Sequence, residues 1–108
     1  MELVLVHITA ASAEEAGRIA HDLVDRRLAA CANIVPGVRS IYRWKGRIEQ
    51  SPEVLLLAKT RADLLPAVTD RVRALHSYEC PCVAAVPIVA GYPAFLGWVE
   101  KETLGGGA

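Results

Sequence analysis

Three histidines and three cysteines are the soft metal ligands of this 108-residue chain, and half of them sit together. The stretch HSYECPC, residues 76–82, places His76, Cys80 and Cys82 within seven residues. Thiolates and imidazole in one place suit copper or zinc. Cys80 and Cys82 are two residues apart, so in an extended chain both thiols point the same way. The spacing H-x3-C-x-C matches no standard zinc pattern, and a closed zinc site takes four protein ligands. The same letters also have a structural reading. Cys82 is then a small buried hydrophobe, Cys80 is incidental, and His76 is a favourable cation at a helix C-terminus.

The remaining candidates are weaker. Cys31 stands between two alanines, and nothing in the spacing ties it to His7 or His21 as a base, so buried packing is the expectation. His7 follows the pattern of an apolar strand, which predicts burial. Lys59-Thr60-Arg61 sits where a strand meets a helix. Two cations and free amides there could hold an anion; an ordinary cap is the simpler reading. There is no Gly-rich phosphate loop, HExxH, CxxC or Ser-His-Asp order, and no carboxylate pair placed for acid–base work. The chain reads as a non-enzyme.

Composition narrows the partners. Twelve basic and twelve acidic residues give zero net charge, with no basic run. Nothing then drives counterion release, so nucleic acid is an unexpected partner. Apolar residues make up 53% and charged ones only 22%. That is more apolar surface than a small monomer hides, and a subunit interface would absorb it. An odd number of cysteines forms no disulfide framework, and the N-terminus lacks a basic signal region, so a reducing cytoplasm is expected. Residues 80–99 carry no charge but hold Pro81, Pro87, Pro93, Gly91 and Gly97, so no membrane helix is expected there.

Elements to position these residues follow from the periodicity. LVLVHIT, residues 3–9, reads as a buried strand. Ser12 and Glu15 form a capping box for a helix reaching Leu28–Ala30. Ala32–Val35 and VRSIYRW, residues 38–44, are strand-like around a bend at Pro36-Gly37. Val38, Ser40, Tyr42 and Trp44 share one face. Lys45-Gly46 is a tight turn. RIEQSPEVLLLAKT, residues 47–60, returns with a bulge or edge feature at Ser51-Pro52. Thr60 caps a second helix with Leu65, Val68, Val72 and Leu75 as its buried stripe. CVAAVPIV, residues 82–89, is a last buried strand. PAFLGWVEKETL, residues 93–104, is a short helix with Phe95, Trp98 and Val99 on one side. The order β-α-β-β-α-β plus a C-terminal helix predicts an α+β, ferredoxin-like single domain over residues 1–104, with 105–108 a flexible tail. The long hairpin overhangs so small a domain, and Tyr42 and Trp44 on it are expected to pack on a neighbouring copy.

Taken together, RRLAACANIVPG, SIYRWKGRIEQ, LLLAKT, ALHSYECP and VPIVAGYPAFLGWV resemble the CutA divalent-cation tolerance proteins, in order and across nearly the whole chain. The resemblance implies a cytosolic homotrimer of ferredoxin-like subunits, similar to the PII signalling proteins, with clefts between subunits. Family-typical positions present here include Cys31, Tyr42, Trp44, Glu49, Lys59, His76 and Tyr78. The resemblance implies tolerance of copper or another divalent ion, with binding in some members through a strand-one thiol and a His pair. Those positions fall on Ile8, Leu75 and His76, of which only His76 matches. The resulting expectation is a metal site of His76, Cys80 and Cys82, and an interface or cleft of Cys31, Tyr42, Trp44, Glu49, Lys59 and Tyr78. A PII-like module that takes a small anionic ligand near Lys59 is the alternative.

Overall fold

The structure, a computed structural model, describes residues 2–103. The expected tail at 105–108 lies outside the described residues. The elements are β1 (Leu3–Ala10), α1 (Ala13–Asp25), β2 (Cys31–Trp44), β3 (Arg47–Arg61), α2 (Leu65–Leu75), β4 (Val83–Pro87) and α3 (Pro93–Lys101). A one-turn 3-10 helix, Ala62–Leu64, leads into α2. The strands form one antiparallel sheet in the order β2-β3-β1-β4, which is the ferredoxin-like plan.

Alternation along β1 divides the sheet into two faces. Val4, Val6, Ile8 and Ala10 are buried, and Val6 and Ile8 are fully so. They pair with Thr60, Ala58, Leu56 and Val54 of β3, which are buried too. This face packs on α1 through Ile19 and Leu23 and on α2 through Val68 and Val72. Each such side chain contributes roughly 1.5–3 kcal/mol by leaving water. The other face carries Leu5, His7 and Thr9, and helices α1 and α2 leave it open. His7 is therefore exposed, against the expectation of burial.

Helix α1 stops earlier than its apolar run suggests. Arg27 adopts a left-handed φ of 60°. Leu28 N–H then donates to Leu23 O at 2.9 Å and Arg27 N–H to Val24 O at 3.0 Å, the paired bonds of a Schellman cap. At the other end Ser12 caps the Glu15 amide at 3.1 Å. The Glu15 side chain does not close a capping box; it turns inward and is buried.

Strands β2 and β3 make a hairpin that outruns the rest of the sheet. Its turn, Lys45-Gly46, has φ of 50° and 79°, the two positive values of a type I′ turn. Within β3 only Val54–Arg61 pair with β1, so the pairs from Val38–Glu53 to Trp44–Arg47 project beyond it. Those seven pairs extend roughly 23 Å. The register shift lies between Val35 and Val38, where Gly37 takes φ +82°; Ser51 and Pro52 stay in register.

Two further expectations are corrected. Thr60 is the penultimate residue of β3 and caps no helix. Its buried hydroxyl donates to Leu28 O at 2.6 Å, tying the strand to the segment after α1. β4 is an edge strand whose residues are half-buried or exposed, because only one of its faces meets the helices. In α3, Val99 is buried with Leu3 and Ala30, while Phe95 and Trp98 are exposed and stack on each other at 5.8 Å.

Candidate functional site

A cleft of about 810 Å³ opens between the projecting hairpin and residues 78–82. Tyr42 and Trp44 line it from β2, and Glu53 lines it from β3. His7 and Thr9 come from the open side of β1, and Tyr78, Cys80 and Cys82 from the segment after α2. The break after α2 is what delivers that segment: the His76 amide bonds Val72 O at 2.9 Å, and the chain then bends through residues 77–80 before β4 starts at Val83.

His76 is committed to the fold. Its side chain is fully buried. The ring contacts Thr9 O through Nε2 at 2.7 Å, and a carbonyl only accepts, so Nε2 carries the proton. Nδ1 then accepts from the Tyr78 amide at 3.0 Å. Glu15 Oε1, a buried oxygen with no hydrogen bond of its own, lies 3.3 Å from the same Nδ1. His76 thus pins the 76–78 turn to β1 from inside. The structure does not bring it into a ligand set with Cys80 and Cys82.

The imidazole beside a thiol is instead His7. Its Nδ1 lies 3.6 Å from Cys82 Sγ. Both Cys80 and Cys82 are exposed, contrary to the buried reading of Cys82. Partial burial, and after it the charge of Glu53, push the Cys82 thiol up, favouring the protonated form at neutral pH. Among the described residues no three His, Cys, Asp or Glu side chains converge to enclose an ion.

A second polar pair braces the cleft wall. Tyr78 donates its hydroxyl to Glu53 Oε2 at 2.7 Å. Burial first, then the bond to Glu53 and its charge, drive the phenol far above its usual range, so it stays a donor. Glu53 is only 8% exposed and was absent from the sequence-derived set. Its neighbours Ser51 and Pro52 carry the local signal of a bulge, and no local spacing marks a carboxylate whose partner is 25 residues away. His7 had a signal: it holds an odd position in a strand whose even positions are apolar.

Of the other expected residues, Tyr42 and Trp44 line the cleft and the rest lie outside it. Tyr42 bonds Ser51 Oγ at 3.2 Å and faces Glu49 across the hairpin. Trp44 has Lys45 Nζ 5.8 Å from its ring centre. Cys31 is half-buried opposite Lys59. Lys59 Nζ donates to Asn33 Oδ1 at 3.0 Å, and Arg61 pairs with Asp63, so the strand–helix junction has its cations engaged. Cys31, Glu49, Lys59 and His76 are not among the cleft's lining residues.

No helix among the described residues is long and apolar enough to cross a membrane. Comparison with known proteins is consistent across sequence and fold. The divalent-cation tolerance protein CutA of Thermus thermophilus is 48% identical over 99 residues, covering 92% of this chain and 96% of that one. Mouse Protein CutA is 45% identical over 96 residues, covering 89% of this chain, which spans about half (54%) of that longer relative. The crystal structure of CutA1 from Oryza sativa superposes with a TM-score of 0.94 at 39% identity, covering 97% of this chain and 96% of that one. A relative from Archaeoglobus fulgidus is described as periplasmic and one from Arabidopsis thaliana as chloroplastic. The family profile of the CutA1 divalent ion tolerance protein matches residues 4–102, and the chain belongs to that family.

Proposed function

We propose that this chain is a non-enzymatic divalent-cation tolerance protein that binds the ion directly, copper being the first candidate, as an assembly of three copies. The observation that carries the reading is the pair of exposed thiols, Cys80 and Cys82, on the wall of one cleft. Thiolates are strong ligands for such ions. Residues 1–104 act as one folded unit in this reading, in the cytoplasm, where free thiols stay reduced. His76 contributes by positioning the turn that presents the cysteines.

Assembly is supported by the overhang. Ile41 and Ile48 on the hairpin are 63% and 69% exposed, and Tyr42 and Trp44 flank them. A two-stranded ribbon with apolar side chains is unstable in water by itself, and a neighbouring copy would cover it. Contacts between copies are assigned to Tyr42, Trp44 and Glu49 on the ribbon and to Cys31 and Lys59 on the open face, with Tyr78 at the cleft.

Copper titration of the wild type against the Cys80→Ser/Cys82→Ser variant tests the binding. The variant is expected to lose it. Equal binding by both, or none by the wild type, refutes the reading. A second reading has its own support: Arg39 and Lys45 line the cleft beside the rings of Tyr42 and Trp44, a setting for a small anionic ligand. Melting-temperature shifts with nucleotides and carboxylates test it, and no shift with any of them removes it.

A further inference from the structure

We infer that Cys82 Sγ and His7 Nδ1 are the first two ligands of an open, four-coordinate site for a borderline-soft divalent cation such as zinc. The inference rests on the ion-binding reading above and assigns its coordinating atoms. The donor set is not the HSYECPC triad: it joins the start of the 82–89 segment to the open face of β1, 75 residues apart in sequence.

The geometry is specific. A tetrahedral ion holding a thiolate at about 2.3 Å and an imidazole at about 2.05 Å sets those two atoms about 3.5–3.6 Å apart. The observed separation is 3.6 Å, which matches that edge of the tetrahedron. Register explains why the pair meets. His7 lies opposite Ala84 across the β1–β4 ladder, and Cys82, two residues before Ala84, continues on the same side. Both side chains then look into the cleft.

Before an ion arrives the same spacing suits a thiol donating weakly to Nδ1. As the metal–sulfur bond forms, that proton leaves to solvent, so the ion is bound by thiolate and neutral imidazole. The two remaining positions are open to water or to the Cys80 thiol, which lines the same cleft. A site with two fixed ligands exchanges its ion, unlike a closed structural zinc site.

Cobalt(II) serves as the probe, because thiolate ligation gives it a charge-transfer band in the near ultraviolet, and zinc(II) competition gives the affinity. The full-length wild type, Cys82→Ser, His7→Gln and Cys80→Ser proteins are each titrated, with circular dichroism confirming the fold. The wild type is expected to show the band at one ion per chain. Cys82→Ser should abolish it, and His7→Gln should weaken zinc binding at least about tenfold, the lower bound for loss of a group that supports a metal. Cys80→Ser should keep the band. A wild type without the band, a band that survives in Cys82→Ser, or His7→Gln binding like the wild type overturns the assignment. If zinc and copper(II) still bind the wild type in those cases, only this site fails; if neither binds, the ion-binding function fails with it.

Discussion

Replacing Tyr78 by Phe removes one oxygen atom and isolates a carboxylate. In the native protein the phenol donates to Glu53 Oε2 at 2.7 Å, and Glu53 is 8% exposed. A hydrogen bond to a charged group contributes about 1.5–3 kcal/mol, and most of the loss is the cost of leaving the charge unpaired. Tyr78 is half-buried and borders an open cleft, so water can reach the vacated position. That places the expected loss in the lower half of the range, about 1.5–2 kcal/mol. For a domain of this size the melting temperature should fall by about 6–16 °C. Guanidinium unfolding and thermal melts, run at one fixed protein concentration because assembly raises apparent stability, measure it. A double-mutant cycle with Glu53→Ala isolates the pair and should return a coupling of at least about 1 kcal/mol. A Tyr78→Phe protein within about 0.5 kcal/mol of the wild type, or a strictly additive cycle, would refute the reasoning.

Three further outcomes follow from the same contacts. Because burial and Glu53 raise the Tyr78 phenol, its neutral form contributes stability that is full below about pH 10 and is lost as pH rises beyond it; ultraviolet titration should show one tyrosine resisting ionisation until the protein unfolds, and three tyrosines titrating together would contradict this. Asp22 takes two 3.0 Å bonds from Arg71 and one from Arg26, which hold its carboxyl below the usual range. Its stabilisation is present above about pH 4 and fades as pH falls through the lowered value, so Asp22→Asn should destabilise at pH 7 and converge with the wild type in acid melts. Thr60→Val keeps the volume but strips the buried donor from Leu28 O, and should cost about 1–3 kcal/mol in unfolding free energy; a neutral result would show that water replaces it.

The order of elements was legible because each rests on a local signal: alternation in β1, the Ser12 cap, the Lys45-Gly46 turn, the apolar stripe of α2. Ends and faces were less so. α1 stops at a left-handed arginine, where glycine is the residue that usually marks a cap. Thr60 has the residue type of an N-cap, and only the approach of Leu28 from elsewhere in the chain turns it into a strand-to-loop tie. The candidate site shows the same division. Tyr42, Trp44, Tyr78, Cys80 and Cys82 were identifiable by type and do share a cleft. His76 was identifiable too, but residue type cannot tell an imidazole facing solvent from one folded inward onto Thr9 O. His7 and Glu53 enter through pairings 75 and 25 residues distant, which no spacing rule reaches.

The projecting ribbon also sets a clock. Beyond Val38 its two strands hydrogen-bond only to each other, with no third strand alongside. In an isolated chain those amides would open by local fraying and exchange with deuterium quickly, while the amides of β1, enclosed between β3 and β4, would wait for global unfolding. Capture of the ribbon by a neighbour would slow the first class and leave the second nearly unchanged. Deuterium uptake at Ile41 and Ile48, followed against dilution, would therefore report the lifetime of the assembly from within a single chain.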